Sequence, residues 1–332
     1  MNSFSHADRV WGALLGCAVG DAMGMPTEMM SIDDIEEVFP NGIDRFYPSS
    51  ERDLFGRSMK AGTVTDDTVN TVLVAEMYTS SGGSIDSKTY IDSLMAWVDE
   101  HRTIADLVVG PSTRRALESI ERGAPIERAG IFGVTNGAAM KISPVGIVRD
   151  YRHLISLVDE VECICIPTHN TSPAIACASA IATAVSYGVR GGDSIYELWE
   201  VALDAAREGA RRGYNAPSPD VVGRLESVQR LAFSEGSSAV ISALRHRFGT
   251  GMSAAETAPA ALAVVTLADG DPMRAASIAA TLGGDTDTIG SIASSICGAM
   301  RPVFTMETAA FIDQVNGLDL RGLAERLAAV SD

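Results

Sequence analysis

Positive charge is in short supply in this chain: 26 lysines and arginines stand against 43 aspartates and glutamates, a formal net charge of −17. That balance lacks the basic footprint by which nucleic acid or an anionic membrane is held, and an anionic ligand would need a cation to screen it. Cysteine is also scarce. The five residues (Cys17, Cys163, Cys165, Cys177 and Cys297) fall mostly within apolar stretches and form no CxxC pair. They read as reduced interior side chains, not as disulfides or a zinc site. No apolar run suits a bilayer: the most apolar, Pro173 to Val189, is built of Ala, Ser and Thr and reads as a buried helix in a close-packed protein. The N-terminus lacks the ordered charged, apolar and small-residue zones of a signal peptide, because Asp8 and Arg9 interrupt it before Val10-Trp11. A cytoplasmic protein is expected.

Alternating apolar and polar strands are nearly absent, whereas helical spacing recurs throughout, so the fold class expected is all-α. Asp86-Ser87 can cap a helix that carries Tyr90, Ile91, Leu94, Trp97 and Val98 on one face. Ser218-Pro219 and Asp271-Pro272 give further start signals. Gly188, Gly213 and Gly270 follow periodic stretches and read as helix stops. The longest irregular stretches, Phe39 to Gly62 and Gly123 to Pro144, are rich in Gly, Pro and polar residues, as functional loops are. At 332 residues one or two domains are possible; a single domain over 1–332 is expected, because two distant acidic segments must meet if they share ions.

Those segments are Thr65-Asp66-Asp67-Thr68 and Gly283-Gly284-Asp285-Thr286-Asp287-Thr288. Each packs carboxylates and hydroxyls at the start of a helical run. Helix capping explains one or two acids at a helix N-terminus, worth about 0.3–1 kcal/mol each. It does not account for both segments. Like charges this close repel in a dehydrated site, whereas hard oxygens at that density are what Mg²⁺, Mn²⁺ or Ca²⁺ require.

Five segments in order resemble the ADP-ribosylglycohydrolase family: Trp11-Gly12-Ala13 to Gly20-Asp21-Ala22-Met23-Gly24 with Glu28; Thr65 to Thr68; Thr135-Asn136-Gly137-Ala138-Ala139-Met140 with Pro144 and Gly146; Thr168-His169; and Gly283 to Gly290. The resemblance implies an all-helical fold with two Mg²⁺ or Mn²⁺ ions at the bottom of a cleft. It implies Thr65, Asp66, Asp67, Asp285, Asp287 and Thr288 as ligands, with Asp287 bridging. Glu28 would face the metals as ligand, gate or proton acceptor, making Glu28, Asp67 and Asp287 the catalytic set. Asp21 is expected behind the ligands or as a helix-end cap.

The implied activity is hydrolysis of the glycosidic bond between ADP-ribose and an acceptor, on an ADP-ribosylated protein or a small ADP-ribosyl compound. The alternatives are another riboside as substrate, or a non-catalytic binding or structural role like that of the family's crystallin-like members. Gly133, Thr135, Asn136 and Gly137 resemble the family's substrate loop. Glycines there permit close backbone approach and Asn136 can donate and accept, although a Gly-Asn pair also makes an ordinary turn. Thr135 stands where the family commonly has glycine. His169 lies either on the phosphates or distal ribose, or in the core with its hydrogen bonds satisfied. Some arginine-directed relatives carry an Asp shortly before the glycine matching Gly110; here Asp106 lies further upstream and Val108 takes the nearer place, a departure from that pattern.

Overall fold

A computed structural model describes residues 4–100 and 109–332. Among them there are seventeen α-helices and no β-strand; the extended contacts are two isolated bridges, Thr135 with Ser253 and Thr171 with Tyr214. The fold is all-α. The helices are α1 (His6–Gly24), α2 (Ile32–Val38), α3 (Asp66–Ser81), α4 (Ser87–Glu100), α5 (Pro111–Glu121), α6 (Ile126–Ala129), α7 (Ser143–Val148), α8 (Leu154–His169) and α9 (Ser172–Val189). They continue as α10 (Ile195–Gly209), α11 (Val221–Ser234), α12 (Ser237–Ala243), α13 (Ala254–Ala268), α14 (Pro272–Ala279), α15 (Thr286–Met300), α16 (Met306–Asn316) and α17 (Leu320–Ala328).

Helix α1 starts on a capping box, in which Ser5 accepts from the Asp8 amide and Asp8 accepts from the Ser5 amide. It then runs antiparallel to α15 along a seam of small residues: Gly12 lies against Gly298, Gly16 against Ser294, and Gly24 against Thr286. A Cβ on Gly12 would sit 2.2 Å from the Gly298 carbonyl oxygen, so the two backbones touch where side chains would normally intervene. This seam sets the C-terminal end of α1 beside the N-terminal end of α15.

The apolar α9 packs against α7, α8, α10, α13 and α15. It is long and apolar enough to cross a membrane, yet 94% of it is buried inside the protein, as a core helix is.

Two start and stop signals resolve differently from expectation. Asp220, not Ser218, caps α11, its side chain accepting from the Val222 amide; a carboxylate adjoining the first turn displaces the serine two residues earlier. Gly188 does not stop a helix. It sits inside α9, where a Cβ would come within 2.8 Å of Ala299 Cβ, so its role is close packing against α15; the left-handed residue is Gly191, with φ of 92°. Gly213 and Gly270 do adopt left-handed backbone after α10 and α13. All five cysteines are free. Cys163 and Cys165 lie two apart on α8, the first half-buried and the second buried, so they point to different sides of the helix.

Candidate metal centre and substrate cavity

Asp21, fully buried near the end of α1, receives four donors from the start of α3. The Thr65 amide and hydroxyl donate to it at 2.9 and 2.8 Å, and the Thr68 amide and hydroxyl at 3.1 and 2.5 Å. Thr65 occupies the N-cap position, but its hydroxyl turns away from its own helix toward Asp21. The acid thus clips α3 onto α1 and fixes the first turn that carries Asp66 and Asp67.

Gly283 and Gly284, with φ of 78° and 77°, bend the opposite chain into α15 through a backbone conformation that glycine adopts without strain. The Asp285 amide donates to the Thr250 carbonyl at 2.7 Å, and the Met29 amide donates to the Gly284 carbonyl at 2.7 Å.

The two acidic segments meet. Asp67 Oδ1 accepts from Ser291 Oγ at 2.9 Å, and its Oδ2 lies 3.3 Å from the Thr288 hydroxyl and 3.4 Å from that of Thr65. The same Thr65 hydroxyl is 3.5 Å from Asp287 Oδ2. Carboxylate oxygens gather into two overlapping groups, each within 4.8 Å: Asp21, Asp67 and Asp287, and Glu28, Asp285 and Asp287. Asp287 belongs to both.

Burial is the main cause that pushes these acids upward. Asp67 and Asp287 lie well above the usual carboxylate range, with neighbouring carboxylates adding to the effect, and Asp285 is raised as well. Asp66 is pushed up to about 8; it opens partly onto a cavity, while dense protein surrounds it elsewhere. Asp21 reaches about 6, held back by its threonine donors. Arg57, at 2.6 Å from Glu28 Oε2, is the cation that forms an ion pair with this set among the described residues. Converging carboxylates and hydroxyls, without a thiol or imidazole in either group, fit a hard divalent cation: Asp21, Glu28, Asp67, Asp285 and Asp287 supply the clustered carboxylates, the Thr65 and Thr288 hydroxyls lie beside Asp67, and half-buried Asp66 lines the cavity outside both groups.

A cavity of about 670 Å³ opens above Asp66, Asp67, Asp285, Asp287 and Thr288. Thr135, Asn136, Gly137 and His169 form one wall, and the start of α5 with Arg114 and Arg115 forms another. Glu28 and Arg57 also line it. Asn136 is buried, and its amide nitrogen lies 2.5 Å from Asp285 Oδ2 and 2.9 Å from the Thr257 hydroxyl, which orients that acid. His169 is both buried and at the cavity wall: Nε2 is 3.0 Å from the Thr135 hydroxyl and Nδ1 2.8 Å from that of Thr168. Burial and then the nearby Lys141 charge hold this imidazole well below its ordinary pKa. Gly133 does not reach the wall. It packs against the end of α8, where a Cβ would sit 2.3 Å from the Thr168 carbonyl oxygen, and its own carbonyl accepts from the Thr171 hydroxyl. Asp106 and Val108 lie outside the described residues.

Three participants escape a reading of the sequence. Ser291, one helical turn after Asp287, donates to Asp67; that spacing was the available clue. Ser112, just inside α5, lies 3.1 Å from the Thr135 hydroxyl. Arg57 sits in the long Phe39 to Gly62 loop, where Asp53 four residues earlier was the available clue to an ion pair but nothing pointed to Glu28.

The sequence profile described as ADP-ribosylglycohydrolase matches residues 3–332. The chain is 35% identical over 328 residues to the uncharacterized protein YegU of Escherichia coli (strain K12), covering 97% of this chain and 96% of that one. It is 28% identical over 194 residues to the ADP-ribosylarginine hydrolase Tri1 of Pseudomonas putida (strain GB-1), covering 56% and 48% of the two chains. A solved structure titled ADP-ribosylglycohydrolase-related protein complex superposes with a TM-score of 0.70 over 99% of both chains at 23% identity, a likeness of fold. With a profile match across nearly its whole length, an all-α fold shared with that structure and an acid-floored cavity, this chain belongs to the ADP-ribosylglycohydrolase family.

Proposed function

We propose that the protein is a metal-dependent hydrolase that cleaves the glycosidic bond between ADP-ribose and an acceptor and releases ADP-ribose. The observation that carries this reading is the convergence of Asp67 and Asp287, from helices far apart in sequence, on the shared Thr65 hydroxyl at the floor of the cavity. Thr65, Asp66, Asp67, Asp285, Asp287 and Thr288 would hold two Mg²⁺ or Mn²⁺ ions. Bound there, such ions supply Lewis acidity and a template for ribose hydroxyls. The cavity, at about 670 Å³, falls in the range of sites that enclose a ligand of this size.

The remaining work falls to side chains. Cleavage at a ribosyl anomeric carbon develops oxocarbenium character, so water must be placed at that carbon as the bond to the acceptor breaks. Glu28, which lines the cavity beside Asp285 and Asp287, would take one proton from that water as the water oxygen joins the anomeric carbon, and would pass the same proton to the acceptor as its bond to that carbon breaks. The Thr135 hydroxyl, held against His169, offers a hydrogen bond to ribose or phosphate oxygens, and Gly137 leaves room for that imidazole, which a Cβ would approach to 3.0 Å. Asn136 keeps Asp285 turned toward the floor.

Five free cysteines suit the cytoplasm as the place of action. The acceptor is an ADP-ribosylated protein side chain or a small ADP-ribosyl compound. Hydrolysis of arginine-, serine- and O-acetyl-linked ADP-ribose, compared side by side with added Mg²⁺ or Mn²⁺ and with chelator, tests the proposal. Release of ADP-ribose from one of them only with metal is the expected result; no release from any, or equal release under chelation, overturns it.

A further inference from the structure

Glu28 is held from two directions. Its backbone leaves a short 3₁₀ turn, Met25–Thr27, and enters Met29, which has a left-handed φ of 59°. That conformation is costly for a residue with a side chain and persists only when the surroundings fix it. Here two hydrogen bonds do so: the Met29 amide to the Gly284 carbonyl at 2.7 Å, and the Gly284 amide to the Met30 carbonyl at 3.3 Å. The backbone carrying Glu28 is therefore anchored directly to the residue preceding Asp285.

The side chain is held from the other side. Arg57 Nη1 lies 2.6 Å from Glu28 Oε2, while its Nε and Nη2 donate to the two oxygens of Asp53 at 3.1 Å each, and its own amide donates to Asp53 Oδ2 at 2.6 Å. The Phe55 ring covers the guanidinium at 4.7 Å from its carbon to the ring centroid. All three charged side chains are shielded, with 12% of Arg57, 15% of Glu28 and 4% of Asp53 exposed. The fork makes its hydrogen bonds to Asp53, which fixes the guanidinium, and toward Glu28 it presents a close charge without an aligned hydrogen bond to Oε2.

We propose that Arg57 is a positioning residue: clamped by Asp53, it acts through Glu28, fixing that carboxylate at the edge of the acid floor and keeping it from becoming a full ligand of the cation bound there. The proposal rests on the reading that Asp285 and Asp287 hold a divalent metal. It makes the Phe39 to Gly62 loop part of the catalytic apparatus, and assigns the loop's deeply held cation to control of the proton acceptor.

The test is a double-mutant cycle on the full chain, read first by calorimetric titration with Mn²⁺ alone. Without Arg57, Glu28 is released to the metal, so Arg57→Ala should tighten Mn²⁺ binding by about fivefold or more, whereas Arg57→Ala added to Glu28→Gln should change it by less than about twofold. Asp53→Asn, which leaves Arg57 in place but loosens its fork, should shift affinity the same way by a smaller factor, and remains informative if Arg57→Ala does not fold. Equal shifts with and without the Glu28 carboxylate, or no shift in either, overturn the proposal.

The second readout is turnover on whichever ADP-ribosyl compound the wild type cleaves. Arg57→Ala should lower kcat by about tenfold or more with KM within about threefold of wild type, and Arg57→Lys should restore part of it. A raised KM with unchanged kcat would mean that Arg57 touches substrate, and would also overturn the proposal. If the wild type cleaves nothing, the hydrolase reading fails while the Mn²⁺ cycle still judges Arg57.

Discussion

Gly20 and Gly290 leave room for each other's backbone. A Cβ on Gly20 would lie 2.0 Å from the Gly290 carbonyl oxygen, and one on Gly290 would lie 2.6 Å from the Gly20 carbonyl oxygen. Each is one residue or three from an acid of the floor, Asp21 on α1 and Asp287 on α15. Packing of the helices and placing of the carboxylates are therefore one geometric problem.

Gly20→Ala must push α1 and α15 apart or bend them. Overpacking of this kind costs about 1–3 kcal/mol. Chemical denaturation should show a loss of that order, and Mn²⁺ affinity should fall with it, because the displaced helix carries Asp287. Stability lost with metal affinity retained would show that the seam and the site are independent.

Asp21 contacts the floor through Thr65 and Thr68 and lies against Asp67 and Asp287. Asp21→Asn keeps its size but replaces an acceptor of four donors by a group that must donate on one side. Removal of such an orienting partner typically lowers metal affinity or activity by about 10–100-fold. Asp287→Asn, at the member shared by both acid groups, should lower turnover by roughly a hundredfold or more. ADP-ribose release and Mn²⁺ titration measured on the two variants check the order of the effects.

Stability should depend on pH in opposite senses with and without metal. Asp21 at about 6 and Asp66 at about 8 are raised above their unfolded values near 3.8, so the folded chain binds more protons than the unfolded one across that window. The stabilisation is complete below the unfolded value and is lost as pH rises through the folded ones. Metal-free protein should thus melt at progressively lower temperature from about pH 4 to about pH 8, whereas saturating Mn²⁺, which favours the ionised acids, should reverse the trend. Thermal unfolding in chelator and in Mn²⁺ decides this; parallel trends would count against a metal at the floor.

Thr135→Val keeps shape and loses the hydroxyl that lies 3.0 Å from His169 and 3.1 Å from Ser112. One hydrogen bond of about 1 kcal/mol corresponds to roughly fivefold in KM. Steady-state kinetics should show that rise with kcat nearly unchanged. A drop in kcat alone would move Thr135 from binding to chemistry.

The helical class was legible because the apolar period runs the length of the chain, and the acid runs were legible because carboxylates packed that densely repel one another unless a cation lies between them. Thr65 sits at the start of its helix, as its place before the apolar period implies. What was not legible depends on distance. Gly188 has the local look of a helix stop, and it continues a helix because Ala299, on another helix, packs against it. Asp220 and Ser218 compete as caps within two residues, and preference alone does not separate them. Gly133 reads as part of a ligand loop but is needed where that loop packs on α8. Arg57 has a local partner in Asp53, four residues before it, but its contact with Glu28 comes from a distant part of the chain and leaves no local pattern.

Asp287 and the Thr65 hydroxyl beside it are separated by 222 positions. During synthesis the ribosome therefore delivers one half of the acid floor long before the other. The early half, with Asp21, Glu28, Thr65, Asp66 and Asp67, lacks the carboxylates of Asp285 and Asp287, and the glycines of α1 have no α15 to settle against. Under the proposed function, metal would therefore be loaded only after α15 is made, and a prematurely ended chain lacking α15 would be inert.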